Sequence, residues 1–293
     1  MEIKVKQLLK VLKKGVFCSL QDNGRFHFRK FGIPTAGPMD KLSFELGKKI
    51  LGNDNNITAL EIFYGGMSFE ALSKHEYVLV GADMNAKVNE KEIESWKTFI
   101  LNEGDILKVQ FSKQGSIAYL IPIGGFKEES ILNSCSTYLK ANLGCNIQNG
   151  TILYGEDYPI FKNRRGLFYK FIPQFPSHHQ VRVVPSYQLN YFEEKDVNRF
   201  FSEEFQLSSG DRMGYFYKGP KLKMKCKKDI LSEPTMFGTI QIPPEGQPII
   251  LMADGQTVGG YPIVGKILDD DLWKVAQQRY GDRISFIREN INE

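Results

Sequence analysis

Residues 238–262 read GTIQIPPEGQPIILMADGQTVGGYP, and this stretch decides how the C-terminal half of the chain is interpreted. A short β-branched run around Ile240 is followed by a Pro-Gly turn and a second apolar run at 249–252, which is typical of paired strands. The run 253–262 then places an acid, an amide, a hydroxyl and three glycines within ten residues. Glycines let a backbone approach a ligand closely, so this segment is either a polar binding loop or an elaborate hairpin turn.

The N-terminal half repeats this order of features. LEIFYGG at 60–66, VGADMNA at 80–86 and the Gly-Asp-Ile at 104–106 give strand, turn, strand, Gly-Ala-Asp and Gly-Asp in succession. The C-terminal counterparts are the strand at 240–242, Met-Ala-Asp at 252–254 and GDRI at 281–284. We interpret this as a diverged duplication of one β unit, with coincidence among common turn dipeptides as the alternative. The Pro-rich stretch 164–180 is the predicted boundary, which gives domains 1–178 and 179–293.

Strand-like runs dominate the rest of the chain. Five short β-branched or apolar runs, bounded by Gly, Pro or Asp, are predicted strands: 77–80, 106–109, 117–121, 181–184 and 249–252. Three helices are predicted, over 40–51, 193–205 and 270–278, from helical spacing of apolar residues. The expected fold class is therefore mainly β with a few short helices.

Composition narrows the classes of function. The 293 residues include 42% hydrophobic and 25% charged residues, which is ordinary for a globular protein. Lys+Arg 38 against Asp+Glu 34 leaves a net charge of +4, too weak to indicate nucleic acid binding. The N-terminus lacks the apolar core of a secretory signal, and no apolar run is long enough to span a membrane. A cytoplasmic location, with no membrane or nucleic acid partner, is the expectation.

The four cysteines do not indicate a metal site or a disulfide framework. Cys18, Cys135, Cys145 and Cys226 include no CxxC pair, and no histidine lies at metal-ligand spacing from them. Several standard catalytic patterns are also absent, including the GxxxxGK[ST] phosphate loop, the GxSxG elbow and HExxH. Idle free thiols and no bound metal are therefore expected.

Four polar, Gly-rich segments remain as candidates for chemistry: 19–25, 32–40, 210–214 and 238–262. Asp254, Gln256, Thr257 and Tyr261 of the last segment could donate or accept hydrogen bonds to a small polar molecule. Asp40 ends the second segment at a predicted helix start. It is either the helix N-cap or part of an anion site formed by backbone N–H groups.

Together these segments resemble one family, the KipA-like proteins, which are also known as the C subunits of the bacterial ATP-dependent 5-oxoprolinase. The family is similar to part of the carboxyltransferase domain of urea carboxylase (formerly allophanate hydrolase subunit 2). The matching stretches are SLQDNGRFHFRKFGIPTAGPMD, LEIFYGG, VGADMNA, SGDRMG, residues 238–262 and DLWKVAQQRYGDRISF, in family order. The resemblance implies two cyclophilin-like β-barrel subdomains.

The resemblance also implies a reaction and partners. The reaction is ATP-dependent opening of 5-oxo-L-proline to L-glutamate, performed with a KipI-like B subunit, together with an A subunit. An unstrained lactam is a poor electrophile, so phosphorylation of its oxygen would activate the carbon for attack by water. ATP is the implied cofactor, bound by this chain or by a partner. No covalent biotin is expected, because Lys223-Met224-Lys225 departs from the Met-Lys-Met attachment form.

Carried over position by position, the resemblance implies two sets of site residues. The implied catalytic residues are Asp254, Gln241, Arg212 and Asp211. The implied substrate-binding residues are Arg25, Asp22, Asp40, Asp83, Gln256, Thr257, Gly259, Gly260 and Tyr261. Arg25 and Arg212 would hold anionic groups, and Asp254 would orient the attacking group or act as a base on it. The alternative for each Asp–Arg pair is a structural salt bridge.

Three positions depart from the family pattern. Cys135, Phe216 and Gly255 stand where the family usually has arginine, a residue that grips carboxylate or phosphate with two parallel hydrogen bonds. Two other functions therefore stay open: a carboxyltransferase-like subunit of a urea carboxylase-type system, and a non-catalytic KipA-type regulator that binds a KipI-like kinase inhibitor. We further expect the Gly-rich loops of both halves to share one polar cleft. Asp254→Ala is expected to abolish turnover without affecting folding.

Overall fold

The computed structural model of this protein describes residues 4–53, 56–161, 163–225 and 230–289. The chain divides into two compact units, here called unit 1 (residues 1–25 and 36–175) and unit 2 (residues 26–35 and 176–293). The division at 175/176 lies close to the predicted boundary at 178/179, which instead falls inside the strand that starts at His178. No sequence pattern indicates that residues 26–35 belong to the second unit.

Unit 1 is built from twelve strands and one helix among the described residues. Their bounds are β1 Val5–Lys14, β2 Phe17–Gln21, α1 Lys41–Leu51, β3 Ala59–Phe63, β4 Met67–Ala71, β5 His75–Gly81, β6 Lys87–Val88, β7 Lys91–Glu92, β8 Thr98–Leu101, β9 Ile106–Val109, β10 Ile117–Pro122, β11 Phe126–Lys127 and β12 Ile152–Glu156. They form a seven-stranded sheet in the order β11-β12-β1-β4-β9-β6-β7 and a five-stranded sheet in the order β2-β3-β10-β5-β8.

The core of unit 1 lies between these two sheets. Leu9 and Phe69 from the larger sheet and Leu60 and Leu79 from the smaller sheet are fully buried in one apolar cluster. Strand β10 is buried along its whole length because it lies between β3 and β5 in the centre of its sheet. Burial of this kind is the main favourable term in folding. The predicted strands at 77–80, 106–109 and 117–121 are all confirmed.

Helix α1 confirms the prediction for 40–51. The Asp40 carboxylate accepts a hydrogen bond from the Ser43 backbone N–H at 2.9 Å, and Gly52 closes the helix with φ of 68°. A left-handed residue at this position favours glycine. The helix packs against β5 and β10. Gly47 permits this contact, since a Cβ there would lie 2.6 Å from Ile121 Cδ1.

Unit 2 contains nine strands and two helices among the residues described. Their bounds are β13 His178–Pro185, α2 Glu194–Ser202, β14 Glu204–Gly210, β15 Gly214–Lys218, β16 Glu233–Pro234, β17 Thr239–Gln241, β18 Ile249–Leu251, β19 Val258–Gly259, β20 Ile263–Ile267, α3 Leu272–Ala276 and β21 Arg283–Arg288. Seven strands close a barrel in the order β13-β20-β17-β18-β15-β14-β21, and β16 pairs separately with β19. Closure of the barrel pairs each of its seven strands on both sides.

The helix predicted over 193–205 is shorter than expected. Helix α2 ends at Ser202, and Phe205 lies in β14, where its backbone pairs with Ile284. Phe200 and Phe205 both contact the Phe286 ring, at centroid distances of 4.5 and 5.4 Å. The aromatic spacing therefore reflects one shared core cluster rather than one continuous helix face.

The third predicted helix, over 270–278, is confirmed with a different start and end. A 3-10 turn covers Asp269–Asp271, and α3 follows over Leu272–Ala276. Asp271 anchors the turn, because its carboxylate accepts hydrogen bonds from the Arg182 side chain and from Lys274.

Both halves are mainly β, as the sequence predicts, but their strands are arranged in different sheets. The resemblance implied a barrel in each half, whereas the described part of unit 1 forms two separate sheets and unit 2 forms the closed barrel. The duplication itself stays a prediction. Among the described residues, no helix has the length and apolar character needed to cross a membrane.

Candidate functional site

An ion pair joins two loops of the unit 2 barrel. The Arg212 guanidinium donates to both Asp254 carboxylate oxygens, at 2.9 and 2.8 Å. Arg212 lies before β15 and Asp254 lies after β18, and the Asp254 N–H also donates to the Arg212 carbonyl at 2.7 Å. The two side chains are only 5% and 10% exposed. This buried bidentate pair fixes the two loops to each other.

The burial of Asp254 changes what its removal should do. A carboxylate on an open loop could be deleted without affecting folding, as the sequence led us to expect. Removing a nearly buried carboxylate leaves a nearly buried guanidinium without its neutralising charge, which destabilises unit 2. The geometry supports Asp254 and Arg212 as positioning groups for the loop at 252–257.

Asp211, in the same loop as Arg212, has a local role. Its carboxylate accepts hydrogen bonds from the backbone N–H groups of Met213 at 2.7 Å and Gly214 at 3.3 Å, while the residue itself is exposed. This is the pattern of an Asx turn, which fixes the bend between β14 and β15.

Two primary amides and a tyrosine backbone meet beside this pair. The Gln241 Oε1 atom accepts a hydrogen bond from Gln256 Nε2 at 3.0 Å, and Gln241 Nε2 lies 3.4 Å from the Tyr261 carbonyl oxygen. Gln241 is 1% exposed, whereas Gln256 and Tyr261 are exposed. The structure thus brings together Gln241, Gln256 and Tyr261, with one amide buried and one open to solvent.

The glycine beside these amides has no room for a side chain. A Cβ on Gly259 would lie 2.5 Å from Gln241 Nε2 and 2.9 Å from Gln256 Nε2. Gly260 is different, because the nearest neighbour of a Cβ there would be Ser232 Oγ at 3.5 Å, an ordinary contact. The amide pair therefore requires glycine at 259 but not at 260.

Thr257 continues the same loop and is largely buried. Its carbonyl accepts a hydrogen bond from the Thr235 N–H at 3.0 Å, beside the short β16–β19 ladder. The Thr235 hydroxyl in turn donates to the Gln256 carbonyl at 2.5 Å. These bonds hold the backbone of 256–257 in place under the exposed Gln256 side chain.

Sequence reasoning missed one residue of this cluster, Arg29. It lies in the segment 26–35 of unit 2, on a short 3-10 turn, and is half-buried. Its Nη2 atom donates to the Thr235 carbonyl and lies 3.4 Å from the Gln256 carbonyl. Burial lowers the pKa of the Arg29 guanidinium below its ordinary value. Arg29 lies within the first stretch that resembles the family, but its role was not predicted, because its partners Thr235 and Gln256 are 206 and 227 residues away in sequence.

In unit 1, Asp22 is the centre of a buried hydrogen-bond network. Its carboxylate accepts from the Ser134 and Ser136 hydroxyls, both at 2.6 Å, and from the Cys135 and Gly24 N–H groups at 2.9 Å. Burial acts to raise the Asp22 pKa, but these hydrogen bonds outweigh it and the pKa is lowered. Asp22 is thereby kept charged and fixes the 134–136 loop against the end of β2.

Arg25 serves the same loop from the other side. It is fully buried, and its guanidinium donates to the backbone carbonyls of Ile131 at 3.0 Å, Ser134 at 3.3 Å and Ser136 at 2.9 Å. Its Nε and Nη2 donors are thus directed at protein carbonyls. Asp22 and Arg25 thus both contact the 134–136 segment, Asp22 as an acceptor and Arg25 as a donor.

Asp40 and Asp83 occupy two further places in unit 1. Asp40 is fully buried and serves as the helix N-cap, with its second oxygen accepting from the Ser43 hydroxyl at 2.5 Å. Asp83 is exposed and accepts from the Asn85 N–H at 2.9 Å, a local turn. The sequence analysis missed Glu61, whose fully buried carboxylate accepts from the Tyr119 hydroxyl at 2.7 Å.

The three positions where arginine was expected differ in setting. Cys135 is half-buried, and burial raises the pKa of its thiol. Phe216 is 44% exposed on β15. Gly255 is tightly packed, since a Cβ there would lie 2.9 Å from the Met252 carbonyl oxygen. A side chain at 255 would require that loop to move.

Each unit carries an open cavity. In unit 2, a groove of about 1140 Å³ runs past Tyr261 and Pro262 to Lys221, Lys223 and Phe192. In unit 1, a cavity of about 560 Å³ is lined by Asn53, Asn56, Lys127, Cys135 and Glu156, among others. No group of three or more His, Cys, Asp or Glu residues within the described ranges is arranged to hold a metal ion. Cys226 lies outside the described residues.

Comparison with known proteins gives one consistent family. Residues 31–288 match the family described as carboxyltransferase domain, subdomain A and B. The chain is 36% identical to the 5-oxoprolinase C subunit of Haemophilus influenzae, covering 94% of this chain and 89% of that protein. It is 31% identical to the 5-oxoprolinase C subunit of Escherichia coli, covering 98% of this chain and 93% of that protein.

Two solved structures share the fold. The crystal structure of TTHA0988 matches with a TM-score of 0.86 and 29% identity over 96% of this chain. This chain spans about half of that one, 55% of its length. The Kluyveromyces lactis urea carboxylase matches with a TM-score of 0.89 and 24% identity, over 97% of this chain and 28% of that one. The last likeness concerns the fold alone.

Proposed function

Because this chain belongs to the carboxyltransferase domain family, together with the bacterial 5-oxoprolinase C subunits, we propose that it is the C subunit of an ATP-dependent 5-oxoprolinase. The reaction opens the lactam of 5-oxo-L-proline to L-glutamate. The observation that carries the proposal is the nearly full-length match to two 5-oxoprolinase C subunits. The designation of these relatives as one lettered subunit supports the existence of partners, for which we propose a KipI-like B subunit, together with an A subunit.

The amide pair of unit 2 suits a lactam. A five-membered lactam is a cis amide, so its N–H and C=O lie side by side on one edge. A glutamine carboxamide presents a matching C=O and N–H, and the two can form a pair of parallel hydrogen bonds. Gln241 occupies one N–H of Gln256, which leaves the other N–H and the Oε1 atom of this exposed side chain for the substrate.

The remaining residues would hold this amide in place. Gln241 is buried and fixes the orientation of the Gln256 carboxamide, while Gly259 allows the two amides to meet. The Arg212–Asp254 pair fixes the loop from which Gln256 projects. Tyr261 would line the open side of the site. Donors fixed before the reaction lower its barrier, because they need not reorganise as charge develops on the lactam oxygen.

ATP supplies the driving force in the proposed reaction. Transfer of its terminal phosphoryl group to the lactam oxygen makes the ring carbon electrophilic, and water then adds to that carbon. Cleavage of the C–N bond then leaves an acyl phosphate of glutamate, and a second water hydrolyses it to glutamate and inorganic phosphate. Positive groups and N–H donors must compensate the phosphoryl charge, on this chain or on a partner.

The test is reconstitution with A-type and B-type subunits, with glutamate release from 5-oxo-L-proline and ATP as the measurement. We expect turnover, and Gln256→Glu should lower kcat/KM by about tenfold or more, because a carboxylate cannot donate to the lactam oxygen. Gln247→Glu is the matched control, since Gln247 bonds the Gly219 backbone on a different turn. Absence of turnover together with tight binding to the B-type subunit would favour the regulatory function instead.

Carboxyl transfer is a second candidate, favoured by the fold shared with the Kluyveromyces lactis urea carboxylase. This function would need carboxybiotin supplied on another protein. Transfer of CO2 from carboxybiotin to a small amide in the absence of ATP would support it against the 5-oxoprolinase proposal.

A further inference from the structure

The guanidinium of Arg29 is an unassigned cation in the cluster that carries the amide pair. We propose that Arg29 binds the substrate carboxylate and makes the site selective for lactams with a carboxylate beside the ring nitrogen. This inference rests on the proposed function and adds a specificity residue to it.

The Arg29 guanidinium has N–H donors without a hydrogen-bond partner among the described residues. A guanidinium presents a planar fork of N–H groups that fits a carboxylate with two parallel bonds. Only Nη2 of Arg29 has hydrogen-bond partners among the residues described, namely the backbone carbonyls of Thr235 and Gln256. These carbonyls orient the fork but do not neutralise its charge.

The two arginines nominated from the sequence, Arg25 and Arg212, already donate hydrogen bonds to other groups of the protein. Arg25 is fully buried and directs its Nε and Nη2 donors at three backbone carbonyls of unit 1. Arg212 gives two donors to both Asp254 oxygens. Either residue would have to break protein contacts to bind a substrate carboxylate, whereas the Nε and Nη1 groups of Arg29 have no hydrogen-bond partner among the described residues.

The charge of Arg29 is partly removed from solvent. The residue is half-buried, and desolvation disfavours its charged form. Arg29 forms no ion pair with a carboxylate among the described residues. Glu233, which lies close to Thr235 in the chain, is held by a hydrogen bond from the Tyr187 hydroxyl. An anionic ligand would compensate the desolvated charge in a way that the backbone carbonyls do not.

The position of the carboxylate in the proposed substrate fits a cation beside Gln256. In 5-oxo-L-proline the carboxylate is attached to the carbon next to the ring nitrogen, on the N–H side of the lactam. A ligand whose lactam edge pairs with the Gln256 carboxamide therefore carries its carboxylate to one side of that residue. Arg29 lies against the backbone carbonyl of the same residue, within 3.4 Å. One residue thus links the amide-recognising group to the cation.

The experiment compares an acid with its uncharged analogue. Binding of 5-oxo-L-proline and of 5-oxo-L-prolinamide is measured by calorimetry on the full chain and on the assembled complex, and KM is measured on the complex. Wild type should prefer the acid, and Arg29→Gln should reduce this preference by about 10- to 100-fold, since a charge-assisted pair is lost. Arg29→Lys should retain part of it, and Arg199→Gln, which alters an exposed pair with Glu203, should retain all of it.

The outcomes separate a binding role from a structural one. If Arg29→Gln weakens acid and amide equally and lowers the unfolding temperature, Arg29 only supports the loop and the proposal is overturned. An unchanged preference also overturns it. If the complex makes no glutamate but the chain still selects the acid through Arg29, the proposed function fails and the assignment of Arg29 stands. If the complex makes glutamate while Arg29→Gln keeps the preference for the acid, the proposed function stands and the assignment of Arg29 fails. If neither compound binds, both proposals fail.

Discussion

Replacing Asp254 by alanine should destabilise unit 2 substantially. The Asp254 and Arg212 side chains are 10% and 5% exposed and share hydrogen bonds of 2.9 and 2.8 Å. Removing the carboxylate takes away the charge that neutralises the buried guanidinium, which costs about 3–5 kcal/mol in buried pairs. A loss of that size is a large part of the ~5–15 kcal/mol that stabilises a typical domain.

The assay is urea unfolding, with hydrogen–deuterium exchange of peptides from β14, β15 and β18 reporting on unit 2. The double variant Arg212→Met/Asp254→Leu should recover most of the lost stability, because no buried charge remains at the pair. Glu203→Ala, which breaks the exposed Arg199–Glu203 pair, is the control and should leave the midpoint unchanged within error. A stability loss below about 1 kcal/mol in Asp254→Ala would refute the reasoning, since that is the range of surface pairs.

Three further predictions concern other parts of the chain. Gly259→Ala should lower the activity of the assembled enzyme by displacing the Gln241 amide, whereas Gly260→Ala should be near neutral. Steady-state kinetics of both variants is the measurement, and equal activity would contradict a steric clash between a Cβ at 259 and Gln241 Nε2. Asp40→Ala should lower the free energy of unfolding by about 1–2 kcal/mol through loss of the N-cap, and a thermal scan showing no change would argue against the cap. Burial, followed by nearby positive charge, lowers the His179 pKa from 6.5 to about 4, so the unfolded chain binds more protons than the folded one within that range. The free energy of unfolding should therefore fall as pH decreases from 6.5 to about 4, and His179→Phe should remove this slope in urea titrations at several pH values; an unchanged slope would assign it to other groups.

Local patterns predicted a large part of the fold because they act over a few residues. The strand at 117–121 follows from its apolar run, and helix α1 follows from Asp40 at its start and Gly52 at its end. The error at Phe205 has a different origin. Its burial arises from contact with Phe286, which lies far away in sequence, so helical spacing alone could not place it.

Part of the candidate site was predicted as one cluster, and the roles of its residues stay predictions. Gln241, Gln256 and Tyr261 were nominated from one loop and its neighbouring strand, and the structure brings them together. The anion-binding role of Arg25 stays a prediction, and in the structure its Nε and Nη2 atoms donate to backbone carbonyls. The prediction that Gly-rich loops of both halves share one cleft stays a prediction.

The sequence by itself determined the β-rich class and the family, because these depend on periodicity, turn residues and ordered motifs along the chain. Only the tertiary structure decided which charges are paired and which are available. It buried Asp254 against Arg212, 42 residues apart, and brought Arg29 to the Gln256 backbone, 227 residues away. Such pairings depend on how the closed barrel of unit 2 and residues 26–35 are packed in three dimensions. A local pattern of residues contains no information about contacts between segments so far apart in sequence.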